Sequence, residues 1–545
     1  MKKLVILFFI ILYSLDLFAQ EEWIRTYHQD DPALFRSVKE SYDHGYLLSG
    51  WLDSSYPNYC WLMKTDINGN TLWEKVIGTP EYTTTLMDFT ENQLGEIFIT
   101  GGTYKESSWG GDPYVMKLNA CGELEWCKIL TTEYNYDNAR NLVPTEDGGC
   151  IVNLYHRGYE NDPNYDGEDR ICLARFDESG YKTWETCYNS PDTLTGNEEN
   201  KHLLKLPNNK FLVSGHTYYT DTTTGLAWLN CYYILTNGDG EFIWETIVHK
   251  DSTGYENSSG GIAWESTLSP GGNYILSSIS HYIGANESRP AILKLDMEGN
   301  AEIADLVSGN TNGKLWSSEL VNDSLVIGSG GWGEDASEDP ALALKFDTAG
   351  NIINQREVTG DIYLSQVEKT FDNKYLFYTQ SDEGPIDHNI HLIKYNQNLE
   401  YDSIYNQPME YNTLCPYPIA SDTISLDGCM LSTSSGENTP EPKTYSPELK
   451  VYPNPARGPV TVELPGYIEK HSSQQGFQIT QKDYQYHKDA VLHIINIHGQ
   501  TAATHKGNGN KAMTIPTQDL SPGIYMVVME VNGKRYAKEK LIVRE

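Results

Sequence analysis

Basic side chains are scarce in this chain of 545 residues. It has 40 Lys and Arg against 75 Asp and Glu, which gives a formal net charge of −35 at pH 7. A general nucleic-acid-binding protein needs a basic face, so this balance excludes that class of partner. It also argues against attraction to an anionic membrane surface. Arginine is particularly rare, and no trio of arginines suited to a sialidase-like carboxylate site stands out in the sequence.

Long apolar runs are absent after the first 20 residues, so no transmembrane span is predicted there. The one apolar run covers residues 4–15, follows Lys2 and Lys3, and ends shortly before Ala19. A membrane anchor is the alternative, but a run of about 12 residues is shorter than the ~20 that a spanning helix needs. The pattern is typical of a secretory signal peptide, and we predict one over residues 1–19.

The common catalytic signatures are also missing. The sequence contains no G-x-S-x-G, no H-E-x-x-H and no G-x-x-x-x-G-K-[ST], the motifs of serine hydrolases, zinc proteases and P-loop proteins. Gly328, Gly330 and Gly333 match the letters of a dinucleotide fingerprint, but no helix is predicted after them, so the match is a false positive. Carboxylates are so numerous that a glycosidase pair cannot be chosen from the sequence.

Cysteine usage fits an exported protein better than a zinc protein. Export permits disulfides, but the nine cysteines are odd in number, so at least one lacks a partner within the chain. No two cysteines have the CxxC spacing, which gives a zinc site little support. Cys415 and Cys429 bracket a short segment outside the repeats described next, and we predict that they form a disulfide.

A repeated unit occupies most of the chain. An apolar run, an Asp or Asn anchor, two residues, Gly and a second apolar stretch that often carries Trp recur seven times, the last copy having lost the Gly and the Trp. The anchors are Asp66, Asn119, Asp177, Asn237, Asp296, Asp347 and Asn396. Two more strand-like stretches precede each anchor, so each unit has four strands and no helical periodicity. Four strands repeated seven times predict an all-β fold with a seven-bladed β-propeller over residues 20–407.

The repeated anchor predicts a turn. Asp or Asn at the first position of a turn bonds to the backbone two residues later, and Gly supplies a positive φ. A metal-binding loop is the alternative, but it needs a longer series of oxygen ligands than these copies offer. Because the last unit has lost its own Gly and Trp, residues 21–27 are predicted to supply its outer strand and to close the ring.

The connections between the second and third strands, here called the b–c loops, are long and differ from unit to unit. Variable loops on a rigid scaffold are where binding normally resides, and aromatic residues beside carboxylates suit sugar rings or a polar peptide. The alternative is an ordinary solvated loop with its aromatics packed on their own stems. Candidate ligand-binding residues are Trp51, Trp109, His156, Tyr159, His216, Trp228, His281 and Trp332. Asp162, Asp166 and Asp169 lie in the most acidic loop and could hold Ca²⁺; no other cofactor is predicted.

The repeats stop after residue 407. Residues 408–447 contain the Cys-bracketed segment and a linker rich in Ser, Pro and Glu, and we infer no activity for them. Residues 448–545 read as a small β-sandwich of about seven strands. Its motif residues are Tyr452, Pro453, Asn454, Pro455, Gly499, Gly523, Tyr525 and Lys540.

As a set, these motifs resemble the type A C-terminal sorting domain of the type IX secretion system of Bacteroidota. A polar insertion at residues 467–489 departs from the usual pattern. The resemblance implies contact with the type IX secretion machinery and a secreted or outer-membrane surface-attached product. An adhesive immunoglobulin-like domain is the alternative interpretation of this tail.

Two classes of function remain open from the sequence. The favoured one is a non-catalytic propeller that binds a glycan or a protein through its b–c loops. The other is a secreted hydrolase or lyase that acts on polysaccharide. The motifs above do not choose between them, since function depends on a site and a fold hosts many functions.

Overall fold

The protein is all-β in the computed structural model, with no helix among the described residues. Two compact units are formed: unit 1 contains residues 1–412 and 417–436, and unit 2 contains residues 413–416 and 437–545. The structure describes residues 22–27, 33–52, 58–104, 111–131, 136–157, 170–188, 198–220, 227–248, 259–283, 288–308, 312–333, 340–361, 366–382, 388–433, 449–464, 490–496, 500–507, 509–531 and 534–544. Accordingly, no helix in this part of the chain could span a membrane.

Unit 1 has seven sheets within the described ranges, each built on four antiparallel strands, and the first and second sheets each carry a fifth, parallel strand described below. The first is β2 (Ala33–Glu40), β3 (Tyr46–Leu52), β4 (Tyr59–Thr65) and β5 (Thr71–Gly78), and the second is β6 (Thr83–Glu91), β7 (Ile97–Tyr104), β8 (Gly111–Leu118) and β9 (Leu124–Thr131). The third is β10 (Tyr136–Pro144), β11 (Cys150–Arg157), β12 (Arg170–Phe176) and β13 (Lys182–Tyr188), and the fourth is β14 (Glu198–Leu206), β15 (Lys210–Thr220), β16 (Ala227–Asn237) and β17 (Phe242–Val248). The fifth is β18 (Ser259–Leu268), β19 (Tyr274–Tyr282), β20 (Ser288–Asp296) and β21 (Ala301–Asp305), and the sixth is β22 (Asn312–Asn322), β23 (Leu325–Gly333), β24 (Pro340–Asp347) and β25 (Ile352–Asp361).

The seventh sheet combines both ends of the repeat region. It contains β26 (Gln366–Lys369), β27 (Tyr375–Asp382), β28 (His388–Tyr395) and the N-terminal strand β1 (Ile24–Tyr27). β1 runs antiparallel to β28, with Ile24 opposite Ile393. The prediction that residues 21–27 supply the outer strand of the last unit is therefore confirmed for the described strand.

Apolar clusters fill the spaces between successive sheets. Each cluster draws on two neighbouring sheets, and one joins Leu376 and Leu392 of the seventh sheet to Val38 and Leu48 of the first. The first strands also contact one another in chain order, and β26 contacts β2. The seventh sheet therefore packs against the first.

The repeated anchors form turns, as predicted. The Asp66 carboxylate accepts hydrogen bonds from the backbone N–H groups of Asn68 and Asn70, both at 2.8 Å, and Gly69 has a φ of 78°. The same two bonds recur at the other six anchors. In the seventh copy Leu399 adopts a φ of 61° in place of the missing Gly, at a steric cost that Gly would avoid.

Three tryptophans on or beside outer strands bond their sheet to the anchor turn of the next sheet. Trp126 Nε1 donates to the Glu178 carbonyl at 2.9 Å, and Trp244 Nε1 donates to the Met297 carbonyl at 3.2 Å. Trp23 repeats this bond from β1, because its Nε1 donates to the Ile67 carbonyl at 3.0 Å. The N-terminal strand thus supplies the tryptophan that the seventh unit lacks.

The predicted disulfide between Cys415 and Cys429 is wrong. Cys429 pairs with Cys127, 302 residues away in the sequence, and Cys415 is disulfide-bonded elsewhere. The segment between Cys415 and Cys429 does not fold back on itself as a closed loop. Instead β29 (Asp422–Ser425) runs parallel to β5, and β30 (Met430–Thr433), which follows Cys429, runs parallel to β9. This pairing brings Cys429 beside β9, on which Cys127 lies. A second disulfide joins Cys172 to Cys187, and Cys60, Cys150 and Cys231 are buried thiols.

Unit 2 contains two sheets around one apolar cluster. One sheet is β31 (Lys450–Tyr452), β32 (Val460–Glu463) and β35 (Ala512–Ile515), and the other is β34 (Thr501–Lys506), β33 (Val491–Asn496), β36 (Gly523–Val531) and β37 (Lys534–Val543). Residues 467–489 and the linker at 434–448 lie outside the described residues, as do residues 1–19.

Candidate functional site

A β-bulge recurs in the first strand of six sheets. Each of these strands has a bulge at the corresponding position, where a single residue is skipped by the pairing with the second strand, and β18 and β22 have a further shift elsewhere. A bulge leaves its extra residue unpaired and redirects the side chain, a device common beside functional sites. At the shared position, the skipped residues are Arg36, Met87, Arg140, Lys201, Trp264 and Trp316, and we call these six the bulge cluster.

Contacts connect the members of the bulge cluster across the sheets. Arg36 Nε donates to the Met87 carbonyl at 3.3 Å. Arg140 Nη2 and Lys201 Nζ each lie 2.7 Å from the same oxygen of Glu199. Lys201 Nζ lies 5.3 Å from the ring centroid of Trp264, and the Trp264 and Trp316 rings are 4.9 Å apart. Arg140, Lys201 and the two indoles are therefore connected by contacts, and the charge of Arg36 acts on Lys201.

The cations of this group are close enough to perturb one another. Burial lowers the pKa of Arg36, and the charge of Arg140 lowers it further. Burial likewise lowers the pKa of Lys201, with Arg140 and Arg36 adding to the effect. For Glu199, burial alone would raise the pKa, but the charges of Arg140 and Lys201 lower it to about 2. Glu199 thus pairs with Arg140 and Lys201, whereas the charge of the nearby Asp88 partly offsets the lowering of the pKa of Arg36.

Polar contacts fix the position of the group. Trp264 Nε1 donates to Ser280 Oγ at 2.7 Å, and Lys314 Nζ lies 4.8 Å from the Trp316 ring centroid. His216 Nε2 lies 3.6 Å from Glu199 Oε2. The last contact connects the group to the end of β15, from which one of the predicted ligand-binding loops begins.

Three carboxyl groups on the first strands have strongly raised pKa values. Burial raises the pKa of Glu265 to about 7 and that of Glu368 to about 7. Burial also raises the pKa of Glu319, and the charges of Glu368 and Glu265 raise it further. A carboxyl group with a pKa near neutrality can act as a general acid, so these residues are candidates for proton transfer.

The three histidines predicted as ligand contacts lie in the interior. Their relative exposures are 4% for His156, 2% for His216 and 0% for His281. Burial lowers the pKa of His216 to about 3, and the charge of Lys201 lowers it as well. His281 Nδ1 lies 2.6 Å from an oxygen of Asp305. These imidazoles contact acids of the protein, and their predicted role with a ligand stays a prediction.

His156 sits between two acids. Its Nδ1 lies 3.1 Å from Asp137 Oδ1, and its Nε2 lies 3.4 Å from Glu185 Oε1. Burial alone would lower the pKa of His156, but hydrogen bonds to Asp137 and Glu185 raise it to about 9. At neutral pH the ring is therefore protonated and forms a buried ion-pair group.

Of the predicted aromatic contacts, only the Trp332 side chain is described. It is partly buried and packs against the apolar cluster between the fifth and sixth sheets. Trp51 and Trp228 lie on β3 and β16, and nothing is described of their side chains. Trp109, Tyr159, Asp162, Asp166 and Asp169 fall outside the described residues. The loop and Ca²⁺ predictions therefore remain predictions.

The bulge cluster was missed in the sequence, although a signal for it exists. Aligning the first strands places Phe-Arg-Ser-Val, Leu-Met-Asp-Phe, Ala-Arg-Asn-Leu, Asn-Lys-His-Leu, Ala-Trp-Glu-Ser and Leu-Trp-Ser-Ser in one column. The second residue of each is the bulged one. The sequence search considered arginines alone and therefore did not find this group, in which Arg36, Arg140 and Lys201 come from three different repeat units.

The predicted sorting motif forms a connected patch in unit 2. Asn454 donates from Nδ2 to the Lys540 carbonyl and accepts from the Ile542 N–H at 2.9 Å. Tyr525 OH donates to the Ser521 carbonyl at 2.8 Å, and Tyr452 OH donates to Glu463 at 3.0 Å. Gly523 starts β36, and Pro453 and Pro455 flank Asn454. Gly499 lies outside the described residues.

Comparison with known proteins identifies the tail. Residues 450–544 match the family described as Secretion system C-terminal sorting domain. The chain therefore carries a type IX sorting domain at its C-terminus, which indicates export by that system and a secreted or cell-surface location. It also implies contact with the secretion machinery.

Comparisons with solved structures and curated proteins give no further indication of function. A protein of unknown function from Bacteroides caccae has 12% identity and a TM-score of 0.34, over 58% of this chain and 94% of that one. A protein of unknown function from Dyadobacter fermentans DSM 18053 has 12% identity and a TM-score of 0.38, over 58% of this chain and 96% of that one. No curated protein matches the chain.

Proposed function

We propose that unit 1 is a closed, seven-bladed β-propeller that binds an anionic saccharide at the bulge cluster without cleaving it. The order of the seven sheets, the packing of the seventh on the first and the bond from Trp23 to Ile67 support closure. In a closed propeller the first strands surround the central channel, so the bulge cluster would line it.

The observation that carries the binding proposal is the gathering of Arg36, Arg140 and Lys201 beside two tryptophans. A guanidinium binds carboxylate or sulfate with two parallel hydrogen bonds. A tryptophan offers a large apolar face together with one polar N–H group, which suits a sugar ring. A protein of net charge −35 repels polyanions at long range, so the three cations of the bulge cluster are most useful for a short anionic ligand held in a pocket.

Arg140→Gln tests this proposal. The glutamine removes the charge but keeps a donor for Glu199, and a hydrogen bond to a charged group is worth ~1.5–3 kcal/mol. We expect calorimetric titration with oligomers of alginate, a polyuronate, to show about 10- to 100-fold weaker binding. Neutral dextran should not bind to either form, and affinity for alginate should fall as salt is raised.

Arg175→Gln is the matched control. Arg175 pairs with Asp147 at 2.8 Å near the end of β12, beside the turn that starts with Asp177. The Arg175→Gln substitution removes the same charge as Arg140→Gln and should leave the affinity for alginate unchanged. Equal losses in both variants would mean that only net charge matters, and unchanged affinity in Arg140→Gln would refute the proposed site.

A second candidate function is polysaccharide cleavage. It is favoured by Glu265 and Glu368, whose pKa values of about 7 would leave each partly protonated and able to donate a proton at neutral pH. The alginate mixtures used for binding should be assayed for new reducing ends and for unsaturated products. Product that disappears in Glu265→Gln would replace the binding proposal with a catalytic one.

The export route to the cell surface or the medium is also part of the proposal. Residues 1–19 would act as the signal peptide that carries the chain across the inner membrane, and the sorting domain would act next. A Bacteroidota origin follows from the resemblance of the tail. Glycan at the bulge cluster would then be met outside the cell.

A further inference from the structure

Four side chains on three adjacent strands of the third sheet form a compact donor set. His156 comes from β11, Cys172 from β12, and Glu185 and Cys187 from β13. One donor atom from each lies within 4.8 Å of the others. Cys172 and Cys187 stand directly opposite each other in the strand register and form a disulfide. A zinc site made this way has no CxxC motif, because cross-strand pairing brings the sulfurs together.

The donor types match one metal ion well. Cysteine thiolate, imidazole and carboxylate are the usual protein ligands of Zn²⁺, which prefers four of them in a tetrahedron. In the oxidised chain the two sulfurs are bonded to each other and offer no thiolate. We propose that this group is a redox-gated Zn²⁺ site, closed while the Cys172–Cys187 disulfide is intact and opened when a thiol reductant cleaves it.

The imidazole is already oriented as a metal ligand would be. Its Nδ1 faces Asp137 Oδ1 at 3.1 Å, while Nε2 faces Glu185 at 3.4 Å. A carboxylate on the outer nitrogen of a histidine is the arrangement that holds metal-binding imidazoles in place. Asp137 would fill that supporting role, and Nε2 would bind the ion.

The disulfide is accessible from one side. Cys187 is exposed, whereas Cys172 is fully buried. Two thiols of the reductant give up two electrons and two protons and become a disulfide, while Cys172 and Cys187 become two thiols. When Zn²⁺ binds, both thiols and the protonated His156 ring release one proton each, and the lone pair freed on Nε2 binds the ion.

Cobalt titration of the full chain tests the proposal. Co²⁺ takes the place of Zn²⁺ and gives visible ligand-field bands and a thiolate charge-transfer band in a tetrahedral site. The chain is reduced with a phosphine, which does not itself supply a thiol ligand. We expect one equivalent of Co²⁺ to produce both bands in the reduced chain, one equivalent of Zn²⁺ to bleach them, and the untreated chain to show neither.

Variants separate this site from the other cysteines. The double variant Cys172→Ser/Cys187→Ser should show no thiolate band, and His156→Ala should bind Co²⁺ at least ~10-fold more weakly. The control Cys127→Ser/Cys429→Ser removes a different disulfide and should titrate like the parent.

Three outcomes would overturn the inference. The first is an absence of bands in the reduced parent, and the second is equal bands in Cys172→Ser/Cys187→Ser. The third is loss of the cooperative thermal transition on reduction, which would mean that no folded site survives. None of them depends on whether the bulge cluster binds saccharide.

Discussion

Unit 1 and unit 2 fill their interiors differently. Within the described residues, unit 2 buries one polar side chain, Thr517, among apolar ones. Unit 1 buries many, including Lys64, Lys117 and Lys394, each 1% exposed or less. A buried charge must be paired to be tolerated, so unit 1 depends on specific partners in a way that unit 2 does not.

The pairing in unit 1 follows the repeat. Lys64, Lys117 and Lys394 each lie two residues before an anchor and reach an acid at the end of the first strand or in the turn after it. The pairs are Lys64 with Asp43 at 2.8 Å, Lys117 with Glu96 at 3.1 Å and Lys394 with Asp372 at 3.0 Å. The difference teaches that a repeated sheet can bury the same ion pair several times, whereas the small tail relies on apolar burial.

The largest expected effect is the loss of export when the sorting domain in unit 2 is deleted. Deleting residues 448–545 should prevent release to the medium or the surface and leave the protein in the periplasm, because the sorting domain is gone. Immunoblotting of cell fractions measures this. Full-length Arg140→Gln, altered only in unit 1, should be exported like the parent. Normal surface display of the truncated chain would show that export does not need the tail.

The second effect compares one ion pair in each unit. Lys64→Ala leaves the buried Asp43 carboxylate without its partner, and breaking such a pair costs ~3–5 kcal/mol. Lys511→Ala removes a half-exposed lysine 3.9 Å from Glu463, where the cost is ~0–1 kcal/mol. Urea unfolding followed by fluorescence measures both. Similar losses in the two variants would contradict the contrast between the interiors.

The smallest effect compares one hydrogen bond in each unit. Trp23→Phe keeps an aromatic ring but leaves the buried Ile67 carbonyl without its donor, at ~1–3 kcal/mol. Tyr525→Phe removes the bond to the Ser521 carbonyl, which is not deeply buried, at ~0.5–1.5 kcal/mol. Calorimetry of the two transitions gives both values. An unchanged unit 1 transition in Trp23→Phe would argue against closure through the N-terminal strand.

Local features were predictable because they depend on short stretches of chain. The seven anchor turns need only an Asp or Asn and the next four residues. The pairing of β1 with β28 was also foreseen, since the last repeat visibly lacked a strand. Disulfide pairing was not: nearness in sequence suggested Cys415 for Cys429, whereas the parallel strand β30 delivers Cys429 to Cys127.

The sequence by itself determined the repeat, its strands and turns, the acidity of the chain and the sorting tail. Each of these features depends on residue spacing and composition, which can be read along the chain. Only the tertiary structure decided which side chains meet. Arg36, Arg140 and Lys201 are separated by whole repeats, and His156, Cys172 and Cys187 lie on separate strands. Each group forms because sheets pack side by side and strands pair in register, and neither relation can be read from one unit alone.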